Sequence, residues 1–167
     1  EWSADGLLSG APRASEAPRL AAAYDPASGT AADRARAYLH VNCAHCHNPQ
    51  GPAHTSGLDL RWSQREAALW GVNKRPVAAG RGSAGMAFAI APGHPEASIL
   101  LYRMESLDPG VMMPELGRQT VDTRAVALMR AGKPDDAAAA LGQFAQRFDS
   151  HALAPDALYL HAMIEHQ

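Results

Sequence analysis

The chain has 167 residues, which suits one domain or one small domain with an appendage. A net charge of −2 excludes a strongly basic nucleic-acid binder and a polybasic membrane anchor. Alanine contributes 35 residues, whereas leucine, isoleucine, valine and phenylalanine together contribute only 28. We therefore expect the core to borrow apolar bulk from a cofactor. No apolar run approaches the roughly 18 residues of a membrane-spanning helix, so no transmembrane segment is expected.

The sequence of the N-terminal part of the chain predicts an extended arm followed by a helix. Residues 1–30 are rich in Ala, Pro, Ser and Gly and predict an extended arm, with a short helical turn near 2–8. This arm either docks on the body or forms a disordered tail. The first well-formed helix is predicted over 31–44, because Thr30 can cap its N-terminus and Asp33 stands at its third position.

The middle of the chain predicts loops around one short helix. Residues 48–60 and 71–93 contain many glycines and prolines and predict irregular structure. A helix is predicted over 64–70, because Ser63 and Glu66 have the spacing of a capping box.

The remaining predicted elements are all helical. Their ranges are 95–105, 120–132, 134–148 and 155–165, and prolines stand at the starts of three of them. Gly132 suits the C-terminal end of the second. Since no strand pattern is present, the chain is predicted to be all-α.

The two cysteines of the chain lie in one motif, Cys43-Ala44-His45-Cys46-His47. This C-x-x-C-H spacing is that of c-type haem attachment. Two cysteines three residues apart at a helix end can form thioethers with the two vinyl groups of one porphyrin. His47 would then bind the iron as the proximal ligand. The motif therefore predicts one covalently attached haem c.

The motif has two other interpretations. A thioredoxin-like C-x-x-C site requires a βαβ context, which the chain does not predict. A structural zinc site requires four ligands at set spacings. Nitrogens for such a site could come from His40, His45, His47 and His54, but no standard finger spacing fits.

A second axial ligand is predicted on a proline-flanked loop. Met113, which directly precedes Pro114, is the first choice, and Met112 is the second. A thioether opposite histidine is the ligation of electron-transfer cytochromes. The alternative is that both methionines pack in the core. Other candidate distal ligands are His40, His54 and His94.

Further haem contacts are expected from three side chains. Arg81 and Trp62 are candidates to donate hydrogen bonds to the haem propionates. The alternative is a solvated arginine and a core tryptophan. Tyr38 is expected to pack against the haem or in the core.

Seven short phrases of the sequence resemble those of a known family. They cover residues 36–39, 41–47, 56–60, 76–83, 97–100, 102–105 and 109–118. On these phrases, residues 31–120 resemble a class I cytochrome c domain, and residues 2–130 resemble the C-terminal part of a bacterial family of secreted haem c proteins. The resemblance implies electron transfer and a methionine ligand in the Met112-Met113-Pro114 segment, and it implies no substrate. His94 is a departure, because such proteins usually carry Asp at this position.

The tail resembles a different family. Residues 124–167, through the phrases 128–137 and 154–159, resemble a tetratricopeptide-type helical hairpin. A predicted tail of 121–167 would share its first helix with the cytochrome domain. Because about three repeats are needed for a stable array, the tail is expected either to fold back on the cytochrome or to drive assembly of a homo-oligomer or polymer.

The sequence thus predicts a bacterial, periplasmic or extracellular, mono-haem cytochrome that passes single electrons to a redox partner protein and is not an enzyme. Export is expected because this haem attachment takes place outside the cytoplasm, although no signal peptide is visible. One alternative is a structural haem-bearing subunit of an electron-conducting homopolymer. Another is a haem peroxidase or small-ligand site with an open distal position.

Overall fold

The computed structural model describes residues 5–7, 9–13, 15–17, 19–78 and 80–131. This part of the chain is helical and contains no β-strand, only two isolated parallel bridges. The prediction of an all-α class is confirmed to that extent. The α-helices are α1 (Ala31–Cys43), α2 (Ala67–Trp70), α3 (Ile99–Glu105) and α4 (Thr123–Arg130). The 3-10 helices are Pro26–Ser28, His54–Ser56, Gly80–Ser83 and Pro95–Ala97.

Helix α1 begins as the sequence predicts. The Thr30 hydroxyl accepts a hydrogen bond from the Asp33 backbone N–H at 3.1 Å, and the Asp33 carboxylate accepts one from the Thr30 N–H at 3.3 Å. This capping box satisfies two backbone donors at the helix start. The helix ends at Cys43, one residue before the predicted end.

Helix α2 is shorter than predicted. It covers only Ala67–Trp70, and no side chain caps it. The prediction of a capping box at Ser63 and Glu66 was therefore wrong. The Gln64 side-chain oxygen instead accepts hydrogen bonds from the backbone N–H groups of Arg65 and Glu66, at 2.8 and 2.9 Å. Gln64 thus takes the Glu66 N–H, which the predicted capping box would have paired with the Ser63 hydroxyl.

The predicted helix over 95–105 is interrupted near its start. Ser98 is extended, with φ −99° and ψ 121°, and separates a 3-10 turn at Pro95–Ala97 from α3. The Ser98 side chain accepts a hydrogen bond from the Ala91 N–H at 2.9 Å, which ties this break to the preceding loop.

Helix α4 starts three residues later than predicted. Asp122 is its N-cap, because its Oδ1 accepts a hydrogen bond from the Ala125 N–H at 3.0 Å. The predicted end at Gly132 lies outside the described residues, as do the predicted tail helices over 134–148 and 155–165.

The core joins three helices, because α4 contacts both α1 and α3. Its buried members are Leu101, Met104, Ala125 and Val126. Tyr38 of α1 packs against this cluster, so the middle of α1 faces the same interior as α3.

The part of the arm nearest α1 contacts the body. The Tyr24 hydroxyl donates a hydrogen bond to Asp122, and Arg34 donates one to the Ala23 carbonyl at 3.3 Å. Most of the predicted helical turn at 2–8 lies outside the described residues. Within the described ranges, no helix is long and apolar enough to cross a membrane.

Candidate cofactor site

The C-x-x-C-H motif forms the end of α1 and the turn after it. The backbone N–H groups of Cys46 and His47 both donate to the Cys43 carbonyl, at 3.1 and 2.9 Å. Since residues four apart lie on the same side of a helical turn, Cys43 and His47 are neighbours, and both line one cavity. Both cysteine thiols are free and partly buried.

The loop that follows the motif contacts the backbone of the motif through Asn48 and Gly51. The Asn48 amide nitrogen donates to the carbonyls of Ala44 and His45, at 2.7 and 3.2 Å. Gly51 packs so closely on the motif that a Cβ atom there would lie 2.2 Å from the Cys46 carbonyl oxygen. The loop therefore fixes the direction in which the motif leaves α1.

The cavity beside the motif is mainly apolar. Its volume is about 150 Å³, and it is partly open to solvent. Among the predicted site residues, it brings together Cys43, His47, Met113 and Tyr38.

The His47 ring is held in one orientation by a neighbouring hydroxyl. Its Nδ1 lies 3.1 Å from Oγ of Ser56, which also lines the cavity. Burial lowers the pKa of His47, and the positive charge of Arg103 lowers it further. These effects favour the neutral imidazole, which is the form that binds metal ions.

The environment of the Cys43 thiol favours its protonated, weakly nucleophilic form. Burial raises its pKa to about 11, and the neighbouring Cys46 contributes in the same direction. Reactive redox cysteines have a lowered pKa and a large thiolate fraction at neutral pH. The environment of Cys43 therefore argues against the thioredoxin-like alternative.

Of the two candidate methionines, Met113 lines the cavity and Met112 is not among the lining residues. The Met113 N–H donates to the Arg103 carbonyl at 2.9 Å, and Arg103 Nε donates to the Val111 carbonyl at 2.7 Å. These bonds join the methionine segment to α3. The Met112 N–H instead donates to the Asp108 carbonyl at 2.9 Å.

The two predicted propionate donors lie elsewhere. Arg81 pairs with Asp108 at 3.2 Å and donates to the Pro109 carbonyl at 2.7 Å. The Trp62 backbone N–H donates to Nδ1 of His40 at 3.1 Å. Neither Arg81 nor Trp62 is among the residues that line the cavity, and the alternative distal ligands His40, His54 and His94 are not among them either.

Four basic residues that the sequence analysis did not assign do line the cavity, namely Lys74, Arg75, Arg103 and Arg118. Arg103 could have been noticed, because it follows Ile99 and Leu100 at helical spacing on an otherwise apolar face of α3. Arg118 donates to the carbonyls of Met104 and Ser106. Its buried Nε has no hydrogen-bond partner among the described residues. Ser56 was also missed, since a loop serine has no distinctive pattern.

The described part of the chain offers no set of ligands for a structural zinc ion. There, no three His, Cys, Asp or Glu side chains gather in an arrangement that could hold a metal ion. A structural zinc site requires four such donors.

No family model, no curated protein sequence and no solved structure matches the chain. Its function must therefore follow from the chemistry of its own residues.

Proposed function

We propose that the protein is an extracytoplasmic, mono-haem c-type cytochrome that transfers single electrons with a redox partner protein. One observation carries this proposal. The cavity is lined by Cys43 and His47 of the C-x-x-C-H motif and by Met113 of a distant segment. This cavity therefore combines the donor types of covalent haem attachment and of His/Met iron ligation.

Three residues that such a group requires, Cys43, His47 and Met113, line the cavity, and Cys46 follows in the turn after Cys43. Cys43 and Cys46 would each add a thiol across one vinyl group, which requires no oxidant. His47 and Met113 would be the axial ligands, with Met112 as the second choice. When bound, haem c supplies a one-electron Fe(III)/Fe(II) couple. The apolar walls of the cavity suit a cofactor of this class.

The propionate carboxylates of the haem would pair with basic side chains of the cavity. Arg118 offers a buried Nε with no partner among the described residues, and a carboxylate oxygen would satisfy it. Arg103 lines the same cavity. We therefore propose Arg118 and Arg103 as propionate donors in place of Arg81 and Trp62, because arginine pairs with carboxylates in a fixed geometry.

The same proposal extends to the domain organisation. Contacts of α4 with α1 and α3 support a class I cytochrome c domain over 31–120 whose core α4 completes. For the tail over 121–167, the sequence pattern supports a tetratricopeptide-like module for homo-oligomer assembly. Covalent attachment of haem outside the cytoplasm implies a periplasmic or extracellular protein.

The test is the intact mass of the protein purified from a bacterial host that attaches haem c in its periplasm. We expect the wild-type chain to carry the mass of one haem after denaturation. The matched control, the Cys43→Ala/Cys46→Ala double variant, should carry none. A wild-type chain without covalent haem would refute the proposal.

A further inference from the structure

The Ser56 hydroxyl is the hydrogen-bond partner of the predicted iron ligand. We propose that Ser56 is a positioning residue that fixes the tautomer of His47 and sets how strongly His47 donates electrons to the iron. This inference deepens the proposed function and rests on it. Serine takes here the role that a carboxylate, a backbone carbonyl or water usually has beside a metal-binding histidine.

The direction of this hydrogen bond follows from the other contacts of Ser56. A serine hydroxyl has a single hydrogen to donate. The Ala53 carbonyl accepts it at 2.7 Å. The Leu58 backbone N–H donates to the same Oγ at 3.2 Å. With its hydrogen on the Ala53 carbonyl, Oγ is left to accept a hydrogen bond from His47 Nδ1, 3.1 Å away.

The tautomer of His47 follows in turn. A neutral imidazole has one N–H group. Because Nδ1 must carry the hydrogen to donate to Ser56, Nε2 has the free lone pair. This is the form that can bind iron through Nε2 and keep its second nitrogen in a hydrogen bond.

The hydroxyl is held by the backbone on both sides. Ser56 ends the 3-10 turn His54–Ser56, and the Gly57 N–H donates to the His54 carbonyl at 2.9 Å. Gly57 has a φ of 65°, in the left-handed region that glycine adopts without strain. The Leu60 N–H donates to the His47 carbonyl at 2.9 Å, which ties the same loop to the ligand itself.

A hydrogen bond at Nδ1 raises the basicity of the imidazole, and a more basic ligand favours Fe(III) over Fe(II). Loss of the hydroxyl is therefore expected to raise the reduction potential. Loss of the hydrogen-bond partner of a metal ligand changes metal affinity or activity by about tenfold or more, and we expect a change of similar size in the redox equilibrium. A tenfold shift of the one-electron equilibrium corresponds to about 59 mV.

The test compares the reduction potentials of three haem-loaded variants with that of the wild type. Ser56→Ala should raise the reduction potential by about 59 mV, which corresponds to a tenfold shift of the equilibrium. Ser56→Thr keeps a hydroxyl and should restore the wild-type potential. Thr55→Ala is the matched control, because exposed Thr55 lies in the same turn and is not among the residues that line the cavity. Equal potentials for Ser56→Ala and the wild type would overturn the inference.

A second measurement needs no variant. In the reduced wild-type protein with ¹⁵N-labelled histidine, the Nδ1–H proton of His47 should be observed and should exchange slowly with solvent. Its absence would overturn the inference even if Ser56→Ala failed to fold. Intact mass separates the two claims: covalent haem with an unshifted Ser56→Ala potential refutes only the role of Ser56, whereas a wild type without haem refutes both.

Discussion

The hydroxyl of Tyr38 donates a hydrogen bond to Oδ2 of Asp122, 3.2 Å away, and so joins the middle of α1 to the start of α4. The same carboxylate accepts a hydrogen bond from Tyr24 of the arm and caps α4 through the Ala125 N–H. Both Tyr38 and Asp122 line the cavity. One side chain therefore connects the arm and two helices at the cavity wall.

Removal of this carboxylate should destabilise the protein. Asp122→Ala loses the helix cap, which contributes about 1 kcal/mol, and leaves the partly buried Tyr38 hydroxyl without its acceptor, which costs about as much again. We expect the free energy of unfolding in urea to fall by about 2 kcal/mol. Asp122→Asn is the control, because it keeps a capping oxygen and should lose less than half as much. Equal losses for the two variants would contradict this account.

The Asp59–Arg61 pair should make the free energy of unfolding decrease at low pH. Asp59 is only 3% exposed, and its Oδ2 lies 2.7 Å from the Arg61 guanidinium. Hydrogen bonding to Arg61 lowers the pKa of Asp59 to about 2, although burial acts in the opposite direction. A carboxyl group with a lowered pKa stabilises the fold above its unfolded pKa of 3.8, and this contribution is lost as the pH falls toward about 2.

The loss attributed to Asp59 should amount to about 2 kcal/mol between pH 5 and pH 2. Urea unfolding at a series of pH values measures it. Asp59→Asn should be less stable than the wild type at pH 6, and the difference should shrink as the pH falls. A constant difference between the two proteins across this range would show that the charge of Asp59 has no such role.

Replacement of the two methionines should have unequal effects. Met113→Ala should abolish the charge-transfer band of methionine bound to ferric iron and lower the reduction potential, because thioether ligation favours Fe(II). Met112→Ala is the matched control and should keep the band, since Met112 is not among the lining residues. Loss of the band only in Met112→Ala would reverse the assignment of the ligand.

Gly51 should tolerate no side chain. A Cβ atom would lie 2.2 Å from the Cys46 carbonyl oxygen, which belongs to the backbone and cannot move aside cheaply. Gly51→Ala should lower the free energy of unfolding by about 2 kcal/mol, as overpacking does. Gly82→Ala is a suitable control, because its Cβ would meet Arg103 at an ordinary 3.5 Å. Similar stability of the two variants would contradict the predicted clash.

Local patterns were the most predictable part of this fold. Thr30 and Asp33 form the predicted capping box because both partners lie within one turn. The box expected at Ser63 and Glu66 is absent, and the Gln64 side chain between them accepts from the Glu66 N–H that Ser63 would have bonded. A pattern of spacing alone cannot show which of two local partners succeeds.

The parts of the site that depend on distant contacts were less predictable. Of the residues predicted from the sequence, Cys43, His47 and Met113 line one cavity, whereas Arg81 pairs with Asp108 and is not among the lining residues. Arg103 lines the cavity from α3, which packs against α4 and against the 3-10 turn Gly80–Ser83. Such placement is a property of the tertiary fold and leaves little trace in the spacing of residues.

The optical spectrum of the purified protein, oxidised and then reduced, tests the central claim most directly. We expect a c-type spectrum from haem that stays with the chain under denaturing conditions, and a methionine-to-ferric-iron charge-transfer band in the oxidised form. A c-type spectrum without that band would contradict His47/Met113 ligation and point to an open or histidine-ligated site. The absence of haem from protein made with the haem-attachment machinery would contradict the whole account.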